Sequence, residues 1–493
     1  MLVNHAIMAK SIKRNFLYNI ILNISKVIFP LITAPYVSRV LEPDGVGLFN
    51  FANTYAGYFA MFAALGIPLY GVREIPKMQN LKGETKFVSE ILSISVISTF
   101  LCSILFLLSV LFIPLLSENL LVFTISAIVL YLTPFKIDWY FQGKEEFAYI
   151  TFRSLVVKTL SVILLFVLVH DKEDLILYVT LNAFCSIFNE LWNFIKLYKI
   201  GIHPYFTISG KQHLRPLIVL FSSAIAIHIY VYIDTVMLGF ITNFEEVGYY
   251  NCATHISKAI LPIVTSLSAV AIPRVSILKE THSWEKINDL MYKSFSIVGY
   301  ISFPIAIGVI VVSPVFVPLF FGELFRGAIL PLQILITTIV VIGLNNITGM
   351  QILIGLGHDR QYLYSVLTGT FINLILNSIL IPCWGAIGAA IASVLSEMIV
   401  LSVMTYYVYS KTKIRISIHK ELLIDAFIAC SFWGVAFGIS QICVGWWYVL
   451  VTLFLCSSYY VAMQYFLCNS SELLLINLLF RKIYNNRHNL KKL

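Results

Sequence analysis

The sequence predicts an all-α polytopic membrane protein with fourteen transmembrane helices, arranged as two six-helix lobes plus two extra C-terminal helices. Three observations predict this fold: the composition, the alternation of basic loops, and an internal repeat. Of the 493 residues, 59% are hydrophobic and only 12% are charged, and the mean hydropathy is +0.86. Soluble domains do not have this composition, because their surfaces carry many more charged residues.

Fourteen apolar runs are long enough to cross a hydrocarbon core of ~30 Å as helices. Helices are expected because an open sheet would leave backbone groups unpaired in lipid. We number these predicted spans 1 to 14 in chain order. They lie near residues 16–41, 46–70, 87–114, 119–141, 147–169, 175–197, 215–241, 247–272, 291–313, 328–355, 361–382, 386–408, 421–443 and 446–468. A short interfacial helix is predicted over 472–484.

The basic residues predict which loops face the cytoplasm. Every second loop, together with both chain ends, carries most of the 34 Lys and Arg residues, whereas the intervening loops hold only Arg39, Lys172 and Arg326. Cytoplasmic loops of membrane proteins collect Lys and Arg. The unbroken alternation predicts an even number of spans with both termini in the cytoplasm. The collection of Lys and Arg in cytoplasmic loops is also the first explanation of the formal net charge of +9.

A repeat divides the chain. VGLFNFANT (46–54) and VGYYNCATH (247–255) match at Val, Gly, Asn and Ala, and the same offset pairs Arg73 with Arg274. An even number of spans in each copy gives both copies the same orientation. They should therefore be related by a parallel pseudo-two-fold axis along the membrane normal, with the substrate path between them. The predicted domains are 1–200 with spans 1–6, 201–412 with spans 7–12, and 413–493 with spans 13 and 14 and a basic cytoplasmic tail.

Three lysines come near the membrane midplane, where a charge costs about 3 kcal/mol on insertion scales. These lysines are Lys26, Lys158 and Lys258. Cations at one depth on helices from both halves predict a shared water-filled cavity for an anion. The alternative is that each lysine forms an ion pair with its own acidic residue.

Two more cations fall inside predicted spans. Arg153 in span 5 lies at a depth similar to that of Glu190 in span 6, so an ion pair with Glu190 and a substrate contact are both open. Lys136 and its neighbour Asp138 lie near a helix end. A side chain in that position is expected to snorkel to the interface.

Polar residues inside the spans repeat at helical spacing, which places them on one face of each helix. In span 1, Asn19 and Asn23 share the face of Lys26. The other stripes are Asn50, Thr54 and Gly57 in span 2, Ser154, Lys158 and Ser161 in span 5, Asn182, Ser186, Asn189 and Asn193 in span 6, Asn251, His255 and Lys258 in span 8, and Thr370, Asn373 and Asn377 in span 11. They indicate either a polar path or interhelical hydrogen bonds worth ~0.6 kcal/mol each. We assign Asn23 and Asn251 to the path.

Three titratable residues predict ion coupling. Asp234 and His255 lie at nearly one depth on consecutive spans. A carboxylate and an imidazole so placed can exchange a proton near physiological pH, and a static hydrogen bond is the alternative. Glu397 in span 12 lies near the midplane, where it could instead neutralise one of the lysines.

The segment PLITAPYVSRVLEPDGVGLFNFANTYAGYFAMFAALGIPLYGVREIPK (30–77) carries a family pattern. It resembles the start of the bacterial polysaccharide repeat-unit flippases. These are the O-antigen and capsule oligosaccharide transporters of the multidrug/oligosaccharidyl-lipid/polysaccharide exporter superfamily. The matching residues are Pro35, Arg39, Leu41, Pro43, Gly45, Gly47, Phe49, Gly66, Ile67, Gly71, Arg73 and Glu74. Glu42 stands where the family has glycine. FQGKEEF (141–147) and GLGHDR (355–360) extend the likeness over the whole chain.

The resemblance implies a flippase that moves an undecaprenyl-diphosphate-linked oligosaccharide across the bacterial inner membrane, from the cytoplasmic to the periplasmic leaflet. It implies ion-coupled alternating access, a cationic lumen between two lobes, and a role in O-antigen, capsule or lipopolysaccharide assembly. A polysaccharide polymerase and a chain-length regulator would be pathway partners. Neither a catalytic residue nor a cofactor, metal or nucleic-acid partner is predicted.

Other functions stay open at this point. Sibling exporters include a peptidoglycan lipid-precursor flippase, a teichoic or teichuronic acid exporter, and a drug/cation antiporter. Fourteen spans and several cations in the path argue against the antiporter. A membrane glycosyltransferase or polymerase needs acid/base or metal-binding residues, commonly on a sizeable outer loop, and the outer loops here are short.

Overall fold

The computed structural model describes residues 2–414 and 420–468, and all regular secondary structure among them is helical. The predicted interfacial helix over 472–484 lies outside the described residues. The α-helices are α1 (Leu2–Ala64), α2 (Ile67–Glu74), α3 (Leu81–Phe112), α4 (Pro114–Ser117), α5 (Leu120–Ser126), α6 (Ile128–Tyr131), α7 (Asp138–Gly143), α8 (Phe147–Leu168), α9 (Leu175–Lys199), α10 (Lys211–Ile241), α11 (Phe244–Glu280), α12 (Trp284–Phe321), α13 (Ile329–Leu335), α14 (Thr338–Asn345), α15 (Asp359–Lys411), α16 (Lys420–Cys430), α17 (Phe432–Ser440) and α18 (Gly445–Cys468). A π-helical stretch, Asn346–Ile354, follows α14.

The described residues contain ten helical segments that are long and apolar enough to cross a membrane. Two of them, Arg14–Ala64 and Asp359–Lys411, each cover two predicted spans, and two shorter apolar helices cover parts of spans 4 and 7. The prediction of an all-helical, multi-pass membrane protein is confirmed. The number fourteen and the two-lobe arrangement stay predictions.

The two longest helices each bend at a single residue. In α1 the backbone leaves the helical region at Glu42, which has φ 57° and ψ 173°. In α15 the same happens at Gly385, with φ 53° and ψ −129°. Positive φ is natural for glycine and costs roughly 1–2 kcal/mol for a residue that has a Cβ atom. Glu42 is therefore a strained position, and it stands where the family pattern has glycine.

The helices pack into two compact units, Met1–Asn251 and Cys252–Leu493, which we call the N-terminal and C-terminal units. In the N-terminal unit a buried cluster joins α2, α3 and α7 around Ile75, Ile91 and Phe141. In the C-terminal unit α12 packs against α16 and α18. The predicted domain boundaries after residues 200 and 412 stay predictions.

The repeated motif has a clear packing role in the N-terminal unit. A Cβ atom on Gly47 would lie 1.7 Å from the carbonyl oxygen of Phe244. A Cβ atom on Gly248, the matching glycine of the second motif, would lie 2.2 Å from the carbonyl oxygen of Pro43. Each motif glycine therefore allows the backbone beside the other motif to approach, and no side chain fits at either position.

The connection between α9 and α10 is fixed to α3 by polar contacts. His213 lies 2.8 Å from the Glu90 carboxylate through Nε2 and 2.8 Å from the Tyr70 hydroxyl through Nδ1. The backbone N–H groups of Tyr205 and Thr207 donate to the hydroxyls of Ser89 and Ser93. Buried polar groups of this kind need partners, and helical periodicity does not predict this network because it joins residues on different helices and in the connection between them.

Candidate functional site

Lys26 lies at the C-terminal end of a row of three polar side chains on α1. Its ammonium donates to Asn23 Oδ1 at 3.2 Å, and the Asn23 amide donates to Asn19 Oδ1 at 3.3 Å. All three side chains are exposed, whereas Ser25 beside them is buried. The i, i+4, i+7 spacing thus produces the shared face that the sequence predicts.

Lys158 on α8 lies close to this row. Its ammonium donates to Ser25 Oγ at 3.0 Å and lies 5.7 Å from the centre of the Phe29 ring. The charges of Lys26 and Lys158 repel each other. The structure therefore brings together two of the three midplane lysines on adjacent helices, and the contacts described for them are to neutral groups.

Arg153 has a different environment. It is 1% exposed, and its Nη2 donates to Asp138 Oδ1 at 2.7 Å. Its Nη1 donates to the Asn189 carbonyl at 3.4 Å, and the guanidinium lies 5.7 Å from the centre of the Tyr149 ring. The same Asp138 oxygen accepts from Asn193 at 2.8 Å. Arg153 is held on several sides by the protein itself.

This arrangement corrects one sequence-based expectation. The ion-pair partner of Arg153 is Asp138 rather than Glu190. The Asp138 side chain is 38% exposed, and its expected position at an interface stays a prediction. The reason for the pairing is local: the fourth span breaks into short helices, and the chain turns at Asp138, where α7 begins and packs against α8. Hydropathy alone could not predict that break.

Glu190 completes this buried cluster. Its side chain accepts from the amides of Asn189 at 3.1 Å and Asn193 at 3.4 Å. Lys136, which we expected to snorkel, is half-buried and donates to the Val129 carbonyl at 2.9 Å. The cluster therefore combines the side chains of two cations with those of two acidic residues.

A cavity of about 770 Å³ opens inside the N-terminal unit, between the second half of α1, the α5–α6 region and α9. Ligand pockets commonly have volumes of 300–1,000 Å³. The predicted polar stripes of spans 2 and 6 contribute Thr54, Gly57, Asn182 and Ser186 to its lining. Lys26, Lys158 and Arg153 are not part of that lining. The sequence predicts the polar faces but not the cavity that they surround.

The remaining predicted residues lie on α10, α11 and α15. Asp234 is 8% exposed and accepts a hydrogen bond from the Tyr250 hydroxyl. Asn251 donates to the Val247 carbonyl at 2.8 Å within its own helix. His255 and Lys258, further along α11, are exposed.

Glu397 lies on α15 in the C-terminal unit and is half-buried. Asn345 Nδ2 donates to its side chain at 2.6 Å and to its backbone carbonyl at 3.2 Å. Within residues 2–414 and 420–468 no three His, Cys, Asp or Glu side chains are grouped so that they could hold a metal ion.

The Gly-x-Arg-Glu motif forms a polar network at the end of α2. Arg73 Nε and Lys77 Nζ both lie 2.9 Å from Glu74 Oε1, and the Arg73 guanidinium lies 5.3 Å from the centre of the Tyr70 ring. Burial alone would raise the pKa of Glu74, but the hydrogen bonds from Lys77 and Arg73 outweigh it and lower the pKa. Glu74 is therefore an ionised partner of these two cations near neutral pH.

The model of the family described as "Polysaccharide biosynthesis protein" matches residues 12–279, which is more than half of the chain. The chain belongs to this family.

Two curated relatives come from Escherichia coli (strain K12). A protein named "Putative O-antigen transporter" is 24% identical over 409 residues, which cover 81% of this chain and 97% of that protein. The protein named "Lipopolysaccharide biosynthesis protein WzxC" is 28% identical over 234 residues, which cover 46% of each chain. The first alignment extends the likeness over nearly the full length of the relative.

The structure of another protein has a similar fold. "Lipid II flippase MurJ, inward closed conformation" superposes with a TM-score of 0.73, covering 91% of this chain and 98% of that chain at 15% identity. At that identity the likeness concerns the fold alone. The chain therefore has a MurJ-like fold.

Proposed function

We propose that this protein is a flippase for an undecaprenyl-diphosphate-linked oligosaccharide, which it moves from the cytoplasmic to the outer leaflet of the bacterial inner membrane. The observation that carries this proposal is the family match over residues 12–279. The names of the two Escherichia coli relatives support transport for O-antigen or other surface polysaccharide over catalysis. A polymerase and a chain-length regulator of the same pathway are the proposed partners.

The chemistry of the N-terminal unit supports an anionic substrate. Lys26 on α1 and Lys158 on α8 donate hydrogen bonds to the neutral side chains of Asn23 and Ser25. A lysine facing lipid would be costly at this depth, whereas one facing water keeps most of its solvation. In this proposal the two lysines, together with Lys258, meet the diphosphate of the lipid carrier. Asn23 and Asn251 add hydrogen-bonding groups along the same path.

A transported anion must bind to the protein and must also dissociate readily from each binding residue. Several cations along a path hold an anion less tightly at each step than one deep site would. The proposed cycle is alternating access, with the substrate entering from the cytoplasmic leaflet. Loop charge supports cytoplasmic termini, and the resemblance to polysaccharide repeat-unit flippases supports entry from the cytoplasmic leaflet.

Ion coupling is proposed to involve Asp234, His255 and Glu397. Replacement of Asp234 by Asn should remove the dependence of transport on a pH gradient without affecting membrane insertion. Transport by the purified protein in proteoliposomes, with and without the gradient, measures this. A mutant with unchanged gradient dependence would assign Asp234 to a static hydrogen bond such as the one from Tyr250.

A peptidoglycan-precursor flippase is the second candidate, favoured by the superposition on MurJ. Because that likeness shows the fold alone, the substrate decides between the two. The test is complementation of two strains, one lacking its O-antigen flippase and one depleted of its peptidoglycan-precursor flippase. We expect surface polysaccharide to return in the first strain and no growth rescue in the second. Rescue of the second strain alone would refute the proposed substrate.

A further inference from the structure

The cavity inside the N-terminal unit carries an inference that rests on the proposed function and deepens it. We propose that this cavity binds the glycan part of the substrate, as one or two uncharged sugar rings. The lining supplies amides and hydroxyls from Asn53, Thr54, Asn182 and Ser186, and aromatic rings from Tyr58 and Tyr232. The diphosphate is bound elsewhere in the proposal, by the lysines.

Sugar rings present hydroxyl groups at their edges and C–H groups on their faces. Asn, Ser and Thr side chains both donate and accept hydrogen bonds, so they can match hydroxyl groups in either role. Tyrosine supplies an apolar ring with one polar end. The lining thus combines the two kinds of surface that a sugar ring needs.

The charge of the lining favours an uncharged ligand. Among the described residues that line the cavity, Lys136 is the one charged side chain. Its ammonium donates to the Val129 carbonyl at 2.9 Å, and it interacts with the Glu190 carboxylate. The cation is therefore already compensated by the protein, and an acidic sugar would have no dedicated partner.

Two hydroxyls in the lining have no hydrogen-bond partner in the protein. Ser126 is 4% exposed, and both its Oγ and the Tyr58 hydroxyl oxygen are buried without a partner. A buried hydroxyl without a hydrogen bond lowers stability, so such groups normally find one. Rotation of either side chain toward the cavity would let a sugar hydroxyl supply the missing partner.

A substitution at Gly57 can test whether the cavity binds a ligand. It lines the cavity, and a Cβ atom built on it meets no atom within 4 Å. A leucine at this position would fill ligand space without a clash at its Cβ. Gly434 in α17 also has nothing within 4 Å of a built Cβ and is not in the cavity lining. Gly434→Leu is therefore a matched control with the same change in side chain.

The experiment measures binding by the full chain in lipid nanodiscs. The first probe is the free oligosaccharide, radiolabelled and released by mild acid from the lipid-linked intermediate of the strain in which the protein restores surface polysaccharide. The second probe is undecaprenyl diphosphate without sugar. Gly57→Leu should lower the affinity for the oligosaccharide at least tenfold, and Gly434→Leu should leave it unchanged. Both variants should bind undecaprenyl diphosphate like the parent.

Ser126→Ala keeps the test decisive if Gly57→Leu does not fold. Removal of an unpartnered hydroxyl should not lower the melting temperature. Loss of one hydrogen bond to the ligand should lower oligosaccharide affinity about three- to tenfold. A serine that does not contact the ligand would leave the oligosaccharide affinity unchanged, and one that supports the fold would lower the melting temperature.

The outcomes separate the two proposals. If the parent restores surface polysaccharide but the folded variants bind the oligosaccharide within twofold of the parent, the cavity is not the glycan site and the flippase proposal stands. The same holds if the parent exports but binds no free oligosaccharide. If the parent restores no surface polysaccharide in any strain, the flippase proposal itself fails, and the cavity inference fails with it.

Discussion

Lys26 and Arg153 are both cations inside long apolar helices of the N-terminal unit, but their environments are opposite. Lys26 is exposed, and its described hydrogen bond goes to a neutral amide, Asn23. Arg153 is 1% exposed and paired with Asp138, which Asn193 also contacts. Hydropathy describes the two cations in the same way, although the structure places them in different surroundings.

The difference follows from what a charge needs in a low-dielectric environment. A buried charge must find an opposite charge and several hydrogen bonds, or it destabilises the fold. Arg153 has these, so it stabilises the packing of α7, α8 and α9. Lys26 has no such surroundings in α1, so water or a substrate must provide its solvation. We therefore expect mutations of Arg153 to affect folding and mutations of Lys26 to affect transport.

The largest effect should come from Arg153. Arg153→Met removes a buried guanidinium and its hydrogen bonds to Asp138 and Asn189. Because the Asp138 side chain is 38% exposed, we expect a loss of about 1–3 kcal/mol rather than the larger cost of a fully buried pair. The variant should accumulate less and melt at a lower temperature than the parent. The measurement is the melting temperature and the amount of protein in membranes. Lys26→Met is the matched control and should be as stable as the parent. Equal stability of both variants would remove the distinction drawn between the two cations.

The second-largest effect should be the loss of polysaccharide export when Lys26 is replaced. Lys26→Ala should block export, so that surface polysaccharide falls while the amount of inserted protein does not change. Lys26→Arg keeps the charge and should do less harm. Lys26→Glu should be worst, because it places a negative charge beside an anionic substrate. Surface polysaccharide normalised to membrane protein is the measurement. Export by Lys26→Glu at the parental level would show that the lysine does not contact the substrate.

The smallest effect concerns the bend at Glu42, which separates the half of α1 that carries Lys26 from the half that lines the cavity. Glu42→Gly should relieve the positive-φ strain and stabilise the fold by about 1 kcal/mol. Glu42→Ala removes the carboxylate but keeps the Cβ atom, so it should give no such gain. Thermal unfolding of both variants measures this. If Ala stabilises as much as Gly, the carboxylate rather than the backbone is the source of the strain.

The sequence by itself determined the membrane fold class, the positions of most helices and the polar faces. It could do so because a hydrocarbon environment requires long apolar helices, and because helical periodicity fixes which residues share a face. Asn19, Asn23 and Lys26 lie on one face for this reason. The family pattern includes Gly47, and the internal repeat pairs this glycine with Gly248.

The tertiary structure alone decided which polar residues meet. Asp138 reaches Arg153 because the fourth span breaks before α7, and His213 reaches Glu90 because the connection after α9 folds back onto α3. Neither contact follows from periodicity, since both join residues on different elements. The cavity beside Gly57 has the same origin: its polar faces are local, but its volume is what remains where three packed regions do not fill the space between them. Packing between helices, unlike the pattern within one helix, depends on every side chain in the interface.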